Sequence, residues 1–225
     1  MKNIAIILAG GNGSRMNNSI PKQYIKIENR PILSYSIEQF SSCSFIDEII
    51  LVTRAEDIEY CRREFSNSKI TSIVAGGSER YESVINGLDA IDEDGYVFIH
   101  DGARPCISAE LISRIYEDVQ KYDAVIPAVV AKDTVRIADE NGNVINTPDR
   151  TGIRLCQTPQ TFRTSLIKKA YAAMKENKTS KTITDDAMVL EEFTGFRAHI
   201  TEGEYSNIKV TTPEDVSTVK SFLKK

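Results

Sequence analysis

The sequence predicts an α/β fold with a doubly wound, mostly parallel sheet. Residues 4–9 form a continuous apolar run that ends at Gly10-Gly11, as expected for a strand buried on both faces. Patterns typical of strands and of helices then alternate through the first half of the chain. Such alternation indicates βαβ units with right-handed crossovers, and ligands bind beyond the carboxyl ends of the strands in folds of this kind.

The elements of the first half follow in a regular order. Pro31 is placed to begin a helix, because apolar residues recur at helical spacing from there as far as Phe40. The other predicted strands are 48–53, 70–74 and 96–100, and the other predicted helices are 56–65 and 79–91. The last of these strands puts Asp101 at its carboxyl end, where a bound ligand is expected.

The pattern changes in the second half of the chain. Two short strand patterns, 133–138 and 143–146, flank an Asn141-Gly142 pair, which is a strong hairpin signal. We expect this hairpin to form an arm, at about residues 131–150, that projects from a single domain spanning 1–225. Helical patterns return at 164–175, at 185–193 and from Pro213 onward.

Composition excludes several classes of partner. The chain has 225 residues, of which 41% are apolar and 27% charged, and its formal net charge is -4. This balance gives no broad cationic surface, so we expect neither nucleic acid nor an anionic membrane as a partner. No apolar run approaches the roughly 18 residues that a transmembrane helix needs. We therefore expect a cytoplasmic protein.

The cysteines and histidines indicate no zinc centre. The four cysteines are scattered and show neither C-x-x-C pairs nor His/Cys spacing; they are Cys43, Cys61, Cys106 and Cys156. Reduced thiols in the cytoplasm are the simplest interpretation. The chain has two histidines, His100 and His199, which argues against a triad that depends on histidine.

The segment after the first strand has the composition of a phosphate-binding loop. Residues 10–16 read Gly-Gly-Asn-Gly-Ser-Arg-Met, and Pro21-Lys22-Gln23 follows. Glycines directly after a buried strand let backbone N–H groups approach phosphate oxygens. The spacing is not that of a P-loop, and Met16 occupies the last position of the dinucleotide pattern G-x-G-x-x-G. Arg15 and Lys22 supply cations for a triphosphate, although residues of both types are more often solvated at the surface.

This loop resembles the signature of the sugar-phosphate nucleotidyltransferases. More closely, the chain is similar to the cytidylyltransferases that activate polyol phosphates, a group that includes enzymes for methylerythritol phosphate and for ribitol phosphate. Further matching motifs follow in order along the chain: Gly76-Gly77-Ser78-Glu79-Arg80 with Ser83, His100-Asp101-Gly102-Ala103-Arg104-Pro105, Lys132-Asp133-Thr134, Asp149-Arg150, Gln157-Thr158-Pro159-Gln160, Thr184-Asp185-Asp186 and Asn207-Ile208-Lys209-Val210-Thr211. The resemblance implies a Rossmann-like nucleotidyltransferase fold and an enzyme that uses CTP.

The resemblance also implies roles for particular residues toward CTP. Arg15, Lys22 and Lys209 are the implied catalytic cations, which stabilise the charge that develops at the α-phosphate and on the departing pyrophosphate. The implied nucleotide-binding residues are Ala9, Gly10, Gly11, Gly13, Gly77, Ser78, Ser83 and Asp101. Magnesium is expected with the triphosphate, and Asp101 is its candidate ligand. Asp185 and Asp186 are alternative candidates, although both are also explained as residues at the start of a helix.

The acceptor site implied by the resemblance is shared between two subunits. Its residues are Asp101, Arg104, Thr134, Arg150 and Thr184. Thr134 and Arg150 flank the predicted arm, which in the family embraces a second subunit. We therefore predict a homodimer in which Arg150 binds the acceptor phosphate in the partner's site. The alternative role of the Asp101 carboxylate is an ion pair with Arg104.

The motifs favour methylerythritol phosphate as the acceptor. Ala9-Gly10-Gly11 and Thr211-Thr212-Pro213 resemble the ribitol phosphate branch, whereas Asp149-Arg150 and Thr184-Asp185-Asp186-Ala187 resemble the methylerythritol phosphate branch. Ribitol phosphate, or a related sugar phosphate, remains the alternative. Two other classes are less favoured, a nucleotide-binding regulator without turnover and a dinucleotide-dependent dehydrogenase.

Overall fold

A computed structural model describes residues 1–11, 21–177, 179 and 181–223. The strands are β1 (Lys2–Ala9), β2 (Lys26–Ile27), β3 (Arg30–Pro31), β4 (Glu48–Thr53), β5 (Ile70–Ala75), β6 (Gly95–Asp101), β7 (Ala124–Val130), β8 (Ile137–Ala138), β9 (Val144–Asn146), β10 (Arg154–Cys156), β11 (Gln160–Arg163) and β12 (His199–Glu202). The α-helices are α1 (Ile32–Ser42), α2 (Ile58–Glu64), α3 (Arg80–Asp89), α4 (Ala109–Tyr122), α5 (Thr164–Glu176), α6 (Asp186–Thr194) and α7 (Pro213–Leu223). Single turns of 3-10 helix cover Lys22–Tyr24, Ala55–Asp57 and Arg150–Gly152.

The main sheet confirms the predicted α/β class. Its strands lie in the order β10-β7-β11-β6-β1-β4-β5, and β12 pairs with β7. The strands β6, β1, β4 and β5 are parallel to one another, and β12 is parallel to β7. By contrast, β11 is antiparallel to both β6 and β7, and β10 is antiparallel to β7. The predicted strands of the first half therefore form the parallel part of the sheet, whereas β10, β11 and β12 were not predicted.

Successive residues of β1 pack on opposite faces of this sheet. Ala5, Ile7 and Ala9 belong to a core that includes buried residues of α1, α2 and α4. Ile4 and Ile6 belong to a second core, with buried residues of α3, α5 and α6. Both faces of the strand are covered by helices, and β1 is therefore a continuous apolar run in the sequence.

Helix α4 is a further element that was not predicted. Ser108 caps it, because the Ser108 hydroxyl accepts a hydrogen bond of 3.0 Å from the backbone N–H of Leu111. Leu111, Ile115 and Val119 are fully buried on one face of the helix. The helix ends at Asp123, which adopts a left-handed conformation with φ of 60°.

The predicted hairpin is present and lies off the main sheet. Its strands β8 and β9 pair only with each other. The Asp139 carboxylate accepts hydrogen bonds from the backbone N–H groups of Asn141 (3.0 Å) and Asn143 (2.8 Å). Gly142 has a φ of 85°, a conformation that glycine adopts readily. The turn is thus stabilised by bonds within the arm itself.

The cysteines agree with the expected reduced state. All four are free, with Cys156 exposed and the other three buried. Within the described ranges, no helix combines the length and the apolar character that crossing a membrane requires.

The carboxyl ends of β1, β4 and β6 meet at one edge of the sheet. Leu8 is in register with Asp101, and Ala9 with Thr53. The turns that follow these strands and β5 are consequently neighbours. This edge is where a ligand site was expected.

Candidate active site

A cleft of about 430 Å³ opens at the carboxyl edge of the parallel strands. The turns after β1, β4, β5 and β6 form its walls, together with Lys209 from the segment before α7. It brings together most of the residues predicted to bind the nucleotide: Ala9, Gly10, Gly11, Lys22, Gly77, Ser78, Ser83, Asp101 and Lys209. Gly13 and Arg15 lie outside the described residues.

The turn after β1 is tied to the segment that contains Lys22. The Gln23 side-chain amide donates a hydrogen bond of 2.5 Å to the backbone carbonyl of Ala9, and Gln23 is 2% exposed. The Lys22 ammonium donates to the carbonyl of Val210 at 3.1 Å, beside Lys209. Two predicted catalytic cations, Lys22 and Lys209, are thus held on neighbouring segments, although Lys22 and Val210 are 188 positions apart in the sequence. Both lysines line the cleft, as Ala9 does.

The turn between β5 and α3 is organised by side chains of α3. The Ser83 hydroxyl accepts a bond of 3.1 Å from the N–H of Gly77. The Glu82 carboxylate accepts bonds from the N–H of Ser78 (2.7 Å), the hydroxyl of Ser78 (2.6 Å) and the N–H of Glu79 (3.1 Å). A Cβ atom on Gly77 would lie 2.3 Å from Cβ of Glu82, so only glycine fits there. The turn is therefore held in place by side chains of the protein itself.

Asp101 lies at the centre of a group of cations. Its Oδ2 is 2.7 Å from Nζ of Lys209, and its Oδ1 is 3.2 Å from Nε of Arg80. Burial alone would raise the pKa of this carboxyl, but the charges of Arg80, Lys209 and Arg104 outweigh burial and hold the pKa below its usual range. Asp101 is therefore ionised. Its ion-pair partners are Arg80 and Lys209, whereas Arg104, the partner considered from sequence, acts on it from a greater distance.

Arg80 is a residue of this site to which no role was assigned from sequence. Its Nη1 and Nη2 atoms bind the two carboxylate oxygens of Asp186, at 3.0 and 2.8 Å. Burial lowers the pKa of Arg80, but the carboxylates of Asp186 and Asp101 outweigh burial and raise that pKa. Asp185 caps α6, as expected, by accepting a bond of 2.8 Å from the N–H of Met188. For Asp186 the helix-start explanation is incomplete, since its carboxylate binds Arg80.

The turn that carries Arg104 is held by a neutral histidine. Burial lowers the pKa of His100 to about 4. Its Nε2 lies 3.2 Å from the carbonyl of Arg104, which can only accept, so Nε2 carries the proton and Nδ1 accepts from the Thr158 hydroxyl at 3.1 Å. Thr158 in turn accepts a bond of 3.0 Å from the N–H of Asp101. The Arg104 guanidinium donates to the carbonyl of Asn207 at 2.7 Å.

Four predicted acceptor residues do not line this cleft, namely Arg104, Thr134, Arg150 and Thr184. Thr134, Arg150 and Thr184 are all exposed. The guanidinium of Arg150 donates to the carbonyl of Lys132 at 2.8 Å, at the base of the arm. The single chain therefore brings together Asp101 and Arg104 but does not assemble the whole predicted acceptor site.

Of the carboxylates Asp101 and Asp186, one is placed so that it could contribute a single ligand to a metal ion. Among the residues that the structure describes, no three His, Cys, Asp or Glu side chains are grouped so that they could hold a metal ion. Magnesium needs few protein ligands where phosphates supply the others, so Asp101 fits as a single ligand. Asp186 does not fit, because Arg80 and the Tyr171 hydroxyl already bind its carboxylate.

Comparison with known proteins identifies the family. The model of the family described as 2-C-methyl-D-erythritol 4-phosphate cytidylyltransferase matches residues 3–225. The chain belongs to this family. A relative of that name from Lachnospira eligens is 46% identical over 225 residues, which is 99% of each chain.

Solved structures agree with this assignment. The 4-diphosphocytidyl-2C-methyl-D-erythritol synthase of Anaerococcus prevotii has a TM-score of 0.86 and 33% identity, with 100% of this chain and 99% of that chain covered. The 2-C-methyl-D-erythritol 4-phosphate cytidylyltransferase of Francisella tularensis has a TM-score of 0.83 and 33% identity, with 99% of this chain and 100% of that chain covered. Members of the family are CTP-dependent cytidylyltransferases, so the chain is an enzyme and the predicted family, fold and reaction class are confirmed. The ribitol phosphate alternative is not favoured by these names.

Proposed function

We propose that this enzyme transfers the cytidylyl group of CTP to the phosphate of 2-C-methyl-D-erythritol 4-phosphate. An oxygen of the acceptor phosphate attacks the α-phosphorus of CTP, the bond from that phosphorus to the bridging oxygen of the β-phosphate breaks, and pyrophosphate leaves. The observation that carries this proposal is the cation group around Asp101, next to the glycine turns of the cleft. Transfer of this kind depends mainly on positioning and on neutralising charge.

Lys22 and Lys209 are the proposed cations for the triphosphate. Both line the cleft, and their segments are joined by the bond from Lys22 to Val210. Lys209 would bind the α-phosphate, where negative charge grows as the acceptor attacks. Arg15 and Gly13 belong to the same proposal on the strength of the family motif in the sequence.

The cytosine site is proposed at the two glycine turns. Gly10 and Gly76 are close, since a Cβ on Gly10 would lie 3.9 Å from Cα of Gly76. The N–H groups of Gly77 and Ser78 are bonded to Ser83 and Glu82, so the backbone of this turn is held in one conformation against the base. We expect a purine to be disfavoured there because the wall consists of backbone that is already bonded.

The arm supports a dimer with shared sites. Its side chains Ile137, Val144 and Ile145 are 49%, 55% and 66% exposed. Several large apolar side chains exposed on one projecting hairpin are typical of an interaction surface. A second copy of the chain would cover them, and Arg150 of each arm would bind the acceptor phosphate opposite Asp101 and Arg104 of the partner.

Magnesium is proposed as the ion that accompanies CTP, with Asp101 as a protein ligand. When bound, the ion neutralises charge on the phosphates. The Oδ2 atom of Asp101 is then available to the ion only if Lys209 turns toward a phosphate, because Nζ of Lys209 lies 2.7 Å from this oxygen.

Pyrophosphate release tests the proposed reaction. The protein is incubated with CTP, Mg²⁺ and either methylerythritol phosphate or ribitol 5-phosphate, with UTP and ATP as control nucleotides. We expect release with CTP and methylerythritol phosphate. Preferential turnover of ribitol phosphate would assign a different acceptor, and absence of turnover with both would contradict the proposed reaction.

A further inference from the structure

A chain of ion pairs leads from Asp101 and Arg80, which line the cleft, to the buried carboxylate of Asp186. Arg80 binds Asp186 through Nη1 and Nη2 and binds Asp101 through Nε. The Tyr171 hydroxyl donates to Oδ1 of Asp186 at 2.6 Å. Asp186 is 0% exposed and is not among the residues that line the cleft. It therefore has no direct access to a nucleotide in the cleft, and its carboxylate is connected to the cleft through Arg80.

The position of Asp186 is fixed by its backbone as well as by its side chain. The Gln160 side-chain oxygen accepts bonds of 2.9 Å from the N–H groups of both Asp186 and Ala187. Asp186 is the first residue of α6, and Arg80 is the first residue of α3. The ion pair thus joins the beginnings of two helices to the end of β6. When both terminal nitrogens of a guanidinium bind one carboxylate, the plane of the group is fixed, and so is the direction in which its Nε–H points.

The charges around Asp101 must be redistributed when substrate binds. Lys209 is paired with Asp101 at 2.7 Å. If Lys209 moves to the α-phosphate, Asp101 loses this cation while it stays ionised and 8% exposed. An ionised carboxylate with so little access to water is costly unless another cation remains beside it. Arg80 is the protein cation that stays on the Oδ1 side of Asp101, also where magnesium takes the Oδ2 side, and its two bonds to Asp186 hold it there.

We propose that Arg80, held by Asp186, is a positioning residue that keeps Asp101 compensated and in place while Lys209 transfers to the substrate. The inference rests on the proposed function, because it takes Lys209 to be a phosphate-binding group. Lysine cannot replace arginine fully here, since one ammonium group cannot reproduce the planar fork that binds Asp186 and Asp101 at once.

Kinetics of four variants test this proposal. Arg80→Gln is expected to lower kcat by about 10- to 100-fold, because it removes a group that supports charge in the transition state. The KM for CTP should change less than about threefold. Asp186→Asn is expected to show the same split with a smaller loss. The double variant should be no slower than Arg80→Gln alone, since Asp186 acts through Arg80. Arg80→Lys should recover part of the lost kcat.

Arg163→Gln is the matched control. Arg163 also lies between two carboxylates, 3.9 Å from Asp94 and 3.8 Å from Asp123, but it is not part of the cleft. Its kcat should equal that of the unchanged enzyme. Thermal unfolding of every variant is measured alongside, so that a loss of folded protein is separated from a loss of rate.

Three kinetic results would overturn the proposal. One is an Arg80→Gln enzyme with normal kcat. Another is a loss confined to KM for CTP, which would make Arg80 a direct nucleotide ligand. The third is an equal loss in Arg163→Gln, which would make the effect one of general stability.

A crystal structure with CTP and Mg²⁺ tests the same inference without an acceptor. We expect Lys209 on a phosphate and Arg80 still bonded to Asp101 and Asp186, whereas Arg80 on a phosphate would contradict the proposal. If the unchanged enzyme released no pyrophosphate with methylerythritol phosphate, the proposed function would fail, and this structure would still decide the role of Arg80.

Discussion

The cleft and the arm differ in how their functional side chains are held. In the cleft, side chains distant in sequence bind one another, as Arg80 binds Asp101 and Asp186. In the turn of the arm, hydrogen bonds join residues that are close in sequence, such as Asn143 and Asp139. The described residues that are proposed to bind the nucleotide therefore line one cleft of a single chain. The arm, with exposed apolar residues, has the character of a surface that needs a second molecule.

The largest predicted effect lies in the cleft. Lys22→Ala should lower kcat/KM by about 100-fold or more, because a cation that stabilises the leaving pyrophosphate is removed. Pyrophosphate release at varied CTP measures it, and Lys26→Ala, on an exposed residue of β2, is the matched control. Near-normal rates for Lys22→Ala would mean that this end of the cleft is not where the triphosphate binds.

The next prediction concerns the arm. Arg150→Ala should raise KM for methylerythritol phosphate by about 10-fold or more and leave KM for CTP unchanged, because it removes charge-assisted bonds to the acceptor phosphate alone. Arg136→Ala, on another exposed arginine of the arm, is the control. Mixing Arg150→Ala with Lys22→Ala chains should restore activity in one of the two sites of a mixed dimer. No recovery on mixing would contradict sharing of the site.

A charge placed on the arm should separate folding from assembly. Ile145→Asp is expected to give a folded monomer with weak activity, because Ile145 is 66% exposed in the chain and its replacement costs little within it. Sedimentation velocity and pyrophosphate release measure the two properties, with Phe196→Asp, also at an exposed apolar residue, as control. A fully active monomer would show that the arm is not needed for the site.

The smallest effect is a pH dependence of stability. His100 has a pKa of about 4 when folded, against an ordinary value of 6.5. Between these values the unfolded chain binds a proton that the folded chain does not, so the free energy of unfolding falls as the pH drops from 6.5 to 4, by on the order of 3 kcal/mol. Urea unfolding across this range measures the slope. His100→Gln should flatten it, whereas His199→Gln, at an exposed residue, serves as the control.

The same contrast explains how much the sequence could predict. Residues 4–9 and 48–53 were predicted as strands because strands buried on both faces are continuous apolar runs. By contrast, β10 is exposed at every residue and β12 at three of four, so neither has a clear hydrophobic period. Helix α4 did carry a usable signal, with Ser108 as its cap and buried residues at helical spacing.

For the site, Ala9, Gly77 and Asp101 line one cleft because the carboxyl ends of parallel strands share an edge, and their roles stay predictions. The pairing of Arg80 with Asp186 could not be predicted from sequence patterns, because the two residues are 106 positions apart and no local spacing connects them. The acceptor half, including Thr134 and Arg150, stays a prediction.

The turn at Gly77 and Ser78, which the Glu82 carboxylate holds in place, has a consequence for inhibition. Little conformational entropy is left to lose there when a flat heterocycle docks. Small rigid fragments that match the backbone of this turn should therefore bind efficiently for their size, and they offer a starting point for competitors of the nucleotide.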